Sequence, residues 1–144
     1  MIATVAVGTD GSGTAGKAVL SALEMAERYG ARIVFISAYA PVDEVRLKRE
    51  KREAPADVQW TINPEEDVEA TLREAEQLAE DRGLDWVSEA AQGDPAEVLV
   101  KLADKHEADV LVIGNRGMQR RVLGSVPNTV THKATCSVYV VKTT

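Results

Sequence analysis

The stretch from Asp109 to Gly117 reads DVLVIGNRG and decides the fold. After Asp109 the residues are apolar and mostly β-branched until Gly114 stops the run. A strand with one wet face alternates apolar and polar side chains. An unbroken apolar run is what a strand buried on both faces requires, and such strands belong to parallel sheets covered by helices on each side. The glycine that follows lacks a Cβ, so the chain leaving the strand can come close to a ligand. Ile2 to Gly8 (IATVAVG) and Arg32 to Tyr39 (RIVFISAY) share this character, the second closed by Pro41.

Between these runs the pattern changes to the helical period. Ala15, Val19, Ala22, Leu23 and Ala26 recur at spacings of three and four, with Glu24, Glu27 and Arg28 off the stripe, which predicts a helix from Ala15 to Tyr29. Gly30 stops it as a left-handed terminal residue would. Pro64 and the acids after it suit a first helical turn, and Val68, Leu72, Ala75, Leu78 and Ala79 supply the stripe up to Gly83. Trp86 to Ala91 is a short third strand. Asp94, Pro95 and Glu97 form a near capping box that starts a helix continuing to His106. Val126 to Lys133 is predicted helical with Pro127 near its start, and Ser137 to Val141 (SVYVV) is a final strand. Asp43 to Glu53 (DEVRLKREKRE) is dense in mixed charge; with the stretch to Asn63 it forms an insertion read as a solvated segment, Trp60 being its packing anchor.

The order is β-α-β-insertion-α-β-α-β-α-β. Right-handed crossovers then make an α/β fold, a single doubly wound five-stranded parallel sheet with helices on both faces. Ligands in such sheets lie beyond the carboxyl ends of the strands where strand order reverses, which directs attention to the loops after Val7, Ser37 and Ile113. The 144 residues fit one domain, 1–144, with the charged insertion at about 43–63. A net charge of −6 and 4% aromatics argue against nucleic acid as a partner. No apolar run approaches the ~18 residues of a membrane span, and Met1 to Val7 has no basic region ahead of an apolar one. One cysteine, Cys136, leaves no intrachain disulfide and fits a reducing compartment, so the expected location is cytoplasmic.

Three glycine motifs compete for a ligand. Gly11 to Ala18 (GSGTAGKA) follows the P-loop pattern except at its last position, where Ala18 has no hydroxyl for magnesium. Gly11, Gly13 and Gly16 spell G-x-G-x-x-G, but the end of the second strand, Phe35 to Tyr39, offers no carboxylate to clamp a ribose. The third motif is Gly114-Asn115-Arg116-Gly117, six residues, then Gly124-Ser125. Gly124 and Ser125 at a helix start would direct free N–H groups and a hydroxyl at an anion. Arg116, Arg120 and Arg121 concentrate positive charge in an acidic chain. That combination fits a phosphate cradle, and it equally fits a surface loop whose arginines pair with acids.

Across essentially its whole length the chain resembles the universal stress protein family. The resemblance is carried by Gly8-Thr9-Asp10-Gly11-Ser12 after the first strand, Gly93-Asp94-Pro95 at a helix start, DVLVIGNRG, LGSVPNTV and the terminal CSVYVV. It implies an adenine-nucleotide α-hydrolase-like, Rossmann-like fold. In nucleotide-binding members the pattern is G-x2-G-x9-G-[ST], which places Gly114, Gly117, Gly124 and Ser125 around phosphates and ribose, with Asn115, Arg116 and the Val126 amide nearby. Gly8, Thr9 and Asp10 match the segment beside the nucleoside, and Ala38 the position whose backbone contacts adenine. The departure is Met118 to Leu123, six residues where the pattern has nine. The resemblance implies ATP, with Mg2+, as the ligand; cyclic AMP (cAMP) or no nucleotide are the alternatives, the last being a nucleotide-independent interaction protein.

No catalytic constellation is assembled. His106 and His132 sit at helix ends where positive charge is favourable, Cys136 at the head of the final strand is expected to be a buried structural thiol, and Asp10 also serves to cap the first helix. At most a slow, incidental ATPase is expected, Arg116 being the only candidate to assist it. SVYVV is expected at a sheet edge, pairing with its two-fold mate in a homodimer, as the resemblance also implies.

Overall fold

The computed structural model describes residues 1–10, 13–39, 65–115 and 124–143. The charged insertion at 43–63 with Trp60, and the loop residues Arg116, Gly117, Arg120 and Arg121, lie outside the described residues. Five strands, β1 (Thr4–Gly8), β2 (Arg32–Tyr39), β3 (Trp86–Gln92), β4 (Val110–Gly114) and β5 (Ser137–Val141), form one parallel sheet in the order β3-β2-β1-β4-β5. The helices are α1 (Gly13–Tyr29), α2 (Glu65–Asp81), α3 (Pro95–Lys105) and α4 (Ser125–Lys133).

The two faces of the sheet are separate cores. Val5, Val7, Ile33, Phe35, Val110 and Val112 point to one side, where α1 brings Ala18, Val19, Ala22, Leu23 and Ala26 and α2 brings Val68, Leu72, Ala75 and Ala79. Ala6, Val34, Ile36, Leu111 and Ile113 point to the other, against Leu99 and Leu102 of α3 and Val126 and Val130 of α4. Burying each large side chain such as Phe35, Leu23 or Ile36 contributes about 1.5–3 kcal/mol. The chain steps one way along the sheet from β1 to β3, then crosses β1 and steps the other way to β5. Right-handed crossovers put the first two helices on one face and the last two on the other, and the order reverses between β1 and β4.

Local signals specify the ends. Gly30 and Gly83 adopt φ of 62° and 67°, and the following residues Ala31 and Leu84 donate to the carbonyls of Ala26 and Ala79 at 2.9 and 3.0 Å. Asp94 caps α3, its Oδ2 accepting from the Glu97 N–H at 3.2 Å, with Pro95 in the first turn. The boundaries differ from expectation where a side chain displaces the ladder. β1 begins at Thr4 rather than Ile2, and β4 at Val110 rather than Asp109, because the Asp109 Oδ2 accepts the N–H groups of Ala3 and Thr4 at 2.8 and 2.9 Å. α1 begins at Gly13, two residues before the first apolar position of its stripe.

The neighbouring glycine motifs take on other duties. Gly16 lies in α1 with no atom within 4 Å of where its Cβ would be, so it does not provide the close helix–strand approach that a dinucleotide fingerprint needs. Lys17 donates to the Thr143 carbonyl at 3.2 Å. No helix among the described residues is long and apolar enough to cross a membrane.

Candidate functional site

The loops at the reversal point surround a shallow, partly open recess lined by Gly8, Thr9, Asp10, Ile36, Ala38, Pro95 and Leu99. It opens on the α3 side of the sheet, at the carboxyl ends of β1 and β2 and under the first turn of α3. Gly8, Ile36 and Ala38 share that face because they keep the parity of Ala6 and Val34.

Backbone geometry makes the recess possible. A Cβ on Gly8 would lie 2.7 Å from Leu99 Cδ2, so a larger residue there would push the Leu99 side chain aside, and glycine leaves it over the end of β1. Thr9 extends the β1 ladder by donating its N–H to the Ile36 carbonyl at 2.9 Å, and its side chain is buried. Asp10 follows at the mouth, half-buried, with its Oδ2 out of solvent contact. It brings an acceptor to a recess otherwise lined mainly by apolar groups and backbone.

The β1–β4 register pairs Val7 with Val112. β4 runs two residues beyond that last pair, to Gly114. Gly124, where the described chain resumes, is the N-cap of α4 and makes no side-chain cap bond. Asn128 donates back to the Gly124 carbonyl at 3.0 Å, which opens the helical ladder and places the amides of Ser125 and Val126 in the first turn, ahead of it. Ser125 is exposed and Val126 packs into the core. A helix start of this kind suits an anion.

Asn115, expected near the phosphates, follows β4 directly. It is 1% exposed, and its Oδ1 accepts both the N–H and the hydroxyl of Thr143 at 2.7 Å. Ile36, Pro95 and Leu99 line the recess without being among the candidates read from the sequence. Ile36 shares parity with Ala38, and Leu99 lies one turn after Pro95 at the capped start of α3; those local facts could have pointed to them.

The histidines and the cysteine are engaged elsewhere. His106 ends α3 with its Nε2 2.6 Å from Glu89 Oε1, and Lys105 pairs with Glu89 Oε2 at 2.8 Å. The Lys105 hydrogen bond, helped by His106 against the cost of burial, holds the Glu89 carboxyl below its ordinary pKa. His132 is exposed in the last turn of α4. Burial pushes the Cys136 thiol up, away from the reactive thiolate. Among the described residues no group of three metal-ligating side chains comes together.

Comparison with known proteins follows the same outline. The profile of the Universal stress protein family matches residues 1–142. Universal stress protein Rv1636 of Mycobacterium tuberculosis is 35% identical over 145 residues, covering 98% of this chain and 97% of its own. Universal stress protein MJ0531 of Methanocaldococcus jannaschii is 31% identical over 144 residues, covering 96% and 81%. Among solved structures, a universal stress protein in complex with cAMP is 34% identical with a TM-score of 0.76, covering 99% of both chains. A universal stress protein family protein from Arabidopsis thaliana with AMP bound shares the fold at 20% identity and a TM-score of 0.71, covering 99% of this chain and 92% of that one.

Proposed function

This chain belongs to the universal stress protein family, and from that premise we propose that it is a regulatory protein that binds an adenine nucleotide. The base occupies the recess under Leu99, the nucleoside lies against Gly8, Thr9, Asp10 and Ala38, and the phosphate faces Gly114 and the start of α4 at Gly124, Ser125 and Val126. By the family pattern Arg116 and Gly117, outside the described residues, complete the phosphate side. The observation that supports the reading is the recess at the strand-order reversal, lined by Gly8, Thr9, Asp10 and Ala38 at the carboxyl ends of β1 and β2.

Two ligands fit this class, and cAMP is favoured over ATP with Mg2+. The supporting observation is the solved relative at 34% identity that is in complex with cAMP. The physical reason is donor supply. With six residues between Gly117 and Gly124 rather than the nine of the pattern, less backbone is available to wrap a triphosphate, whereas a cyclic monophosphate needs fewer N–H donors. The rest of the reading is a single domain with its charged insertion at 43–63, located in the cytoplasm, dimerising through β5, and binding rather than turning over its ligand.

Calorimetric titration with cAMP and with magnesium ATP, each as competitor of the other, tests the proposal. Saturation near one cAMP per chain that ATP displaces poorly is the expected result. Preferential ATP binding would replace cAMP by the triphosphate. The absence of heat with either up to millimolar concentration would remove the nucleotide and favour a nucleotide-independent interaction protein.

A further inference from the structure

One side chain separates α3 from the end of β1 inside the recess. Leu99 lies one turn after Pro95, is 3% exposed, and lines the recess together with Gly8, Ile36, Ala38 and Pro95. A Cβ on Gly8 would have three atoms of this leucine as its nearest neighbours: Cδ2 at 2.7 Å, Cδ1 at 3.4 Å and Cγ at 3.6 Å. Gly8 closes β1 and is not among the glycines with positive φ, so its backbone is one that other residues adopt. The glycine is needed here for space, and Leu99 is what occupies that space. The depth of the recess is therefore set by a leucine packed over a glycine.

We propose that Leu99 is the size-selecting residue of the nucleotide site: lying over Gly8, it admits the plain adenine and excludes one enlarged on the edge that enters the recess. The proposal rests on the nucleotide reading above and deepens it by naming what limits the base. Exclusion by a steric clash disappears when the clashing group is removed. Truncating Leu99 leaves a space that the surrounding core fills only in part, and that space opens beside the base. A methyl on Gly8 acts in the opposite sense. The leucine methyls it meets are the free end of a rotatable side chain, so the chain still folds while Leu99 is turned aside within the recess. The two positions must therefore compensate each other, because each atom that the new methyl would strike belongs to the group that truncation takes away.

The test titrates cAMP and two enlarged analogues by calorimetry, one with a benzyl group on the exocyclic amino nitrogen and one with a benzylthio group on the imidazole-ring carbon. Should ATP bind in place of cAMP, the matching ATP analogues are the probes. The proteins are the unaltered chain, Leu99→Ala, Gly8→Ala and the double variant. The unaltered chain is expected to bind at least one analogue about tenfold more weakly than the plain nucleotide, and Leu99→Ala to bind that analogue about as tightly. Gly8→Ala is expected to weaken the plain nucleotide about tenfold, and Leu99→Ala added to it to recover most of the loss. A merely structural Leu99 would weaken all ligands alike on truncation and would not rescue Gly8→Ala. Where Leu99→Ala does not fold, Leu99→Val, which trims less of the side chain, is expected to shift the same preference by a smaller factor. Both analogues bound by the unaltered chain as tightly as the plain nucleotide, an unchanged preference in the folded Leu99 variant, or unaltered affinity in Gly8→Ala overturns the size selection and leaves the nucleotide reading in place. Absence of saturable binding of either nucleotide by the unaltered chain overturns the nucleotide reading, and this role with it.

Discussion

Asp109 belongs by sequence to a strand, yet its carboxylate holds the start of a neighbouring one through the N–H groups of Ala3 and Thr4 at 2.8 and 2.9 Å. Those two backbone bonds keep its carboxyl below the usual carboxylate range. Because the folded-state group is the stronger acid, the unfolded chain takes up the proton first as pH falls. The stability it contributes is full above the unfolded value near ~4 and is lost as pH falls through the lower folded value. Asp109→Asn is therefore expected to lower the urea midpoint at neutral pH and to flatten its decline between about pH 5 and about pH 3. An equally steep decline in the variant would assign the acid sensitivity to Glu89, whose carboxyl is lowered by Lys105 and His106. At this scale little was legible in advance. The Asp94 cap spans three residues and could be read from spacing, whereas the partners of Asp109 lie 106 and 105 positions away and those of Asn115 lie 28 away.

At the scale of elements the sequence was far more informative, since periodicity and caps are local. The unbroken apolar runs of β2 and β4 are buried from Ile33 to Ser37 and from Val110 to Ile113, as strands between two helical layers must be. The start of α3 followed from Asp94, Pro95 and Glu97. Asp94→Ala is expected to cost about 1 kcal/mol, a fall in Tm of about 3 °C for a chain of this size, measured by thermal unfolding. A negligible fall would mean that water or the backbone replaces the carboxylate at the Glu97 N–H. What spacing could not supply was the use made of that helix start. Pro95 and Leu99 become the roof of the recess only because α3 packs over the ends of β1 and β2.

On the scale of the whole molecule, β5 is an outer strand, as anticipated, with Tyr139 49% exposed on it. An outer strand with unpaired backbone groups and an exposed ring invites a second copy. For the proposed dimer, Tyr139→Lys is expected to convert the chain to monomer in sedimentation experiments while leaving thermal stability nearly unchanged. A variant that still sediments as a dimer would place the interface elsewhere. The sequence by itself determined the alternation of five strands with helices, the parallel sheet covered on both faces, and the glycines on which the family resemblance rests. These follow from burial on both faces, helical period and capping chemistry, each readable within a few residues. Only the tertiary structure decided that β3 and β5 are the outer strands of the order β3-β2-β1-β4-β5, that Gly8 lies against Leu99 beside the recess, and that Asn115 turns to Thr143. Each of those depends on contacts between residues far apart in the chain, which local pattern does not encode and packing of the two layers onto one sheet creates.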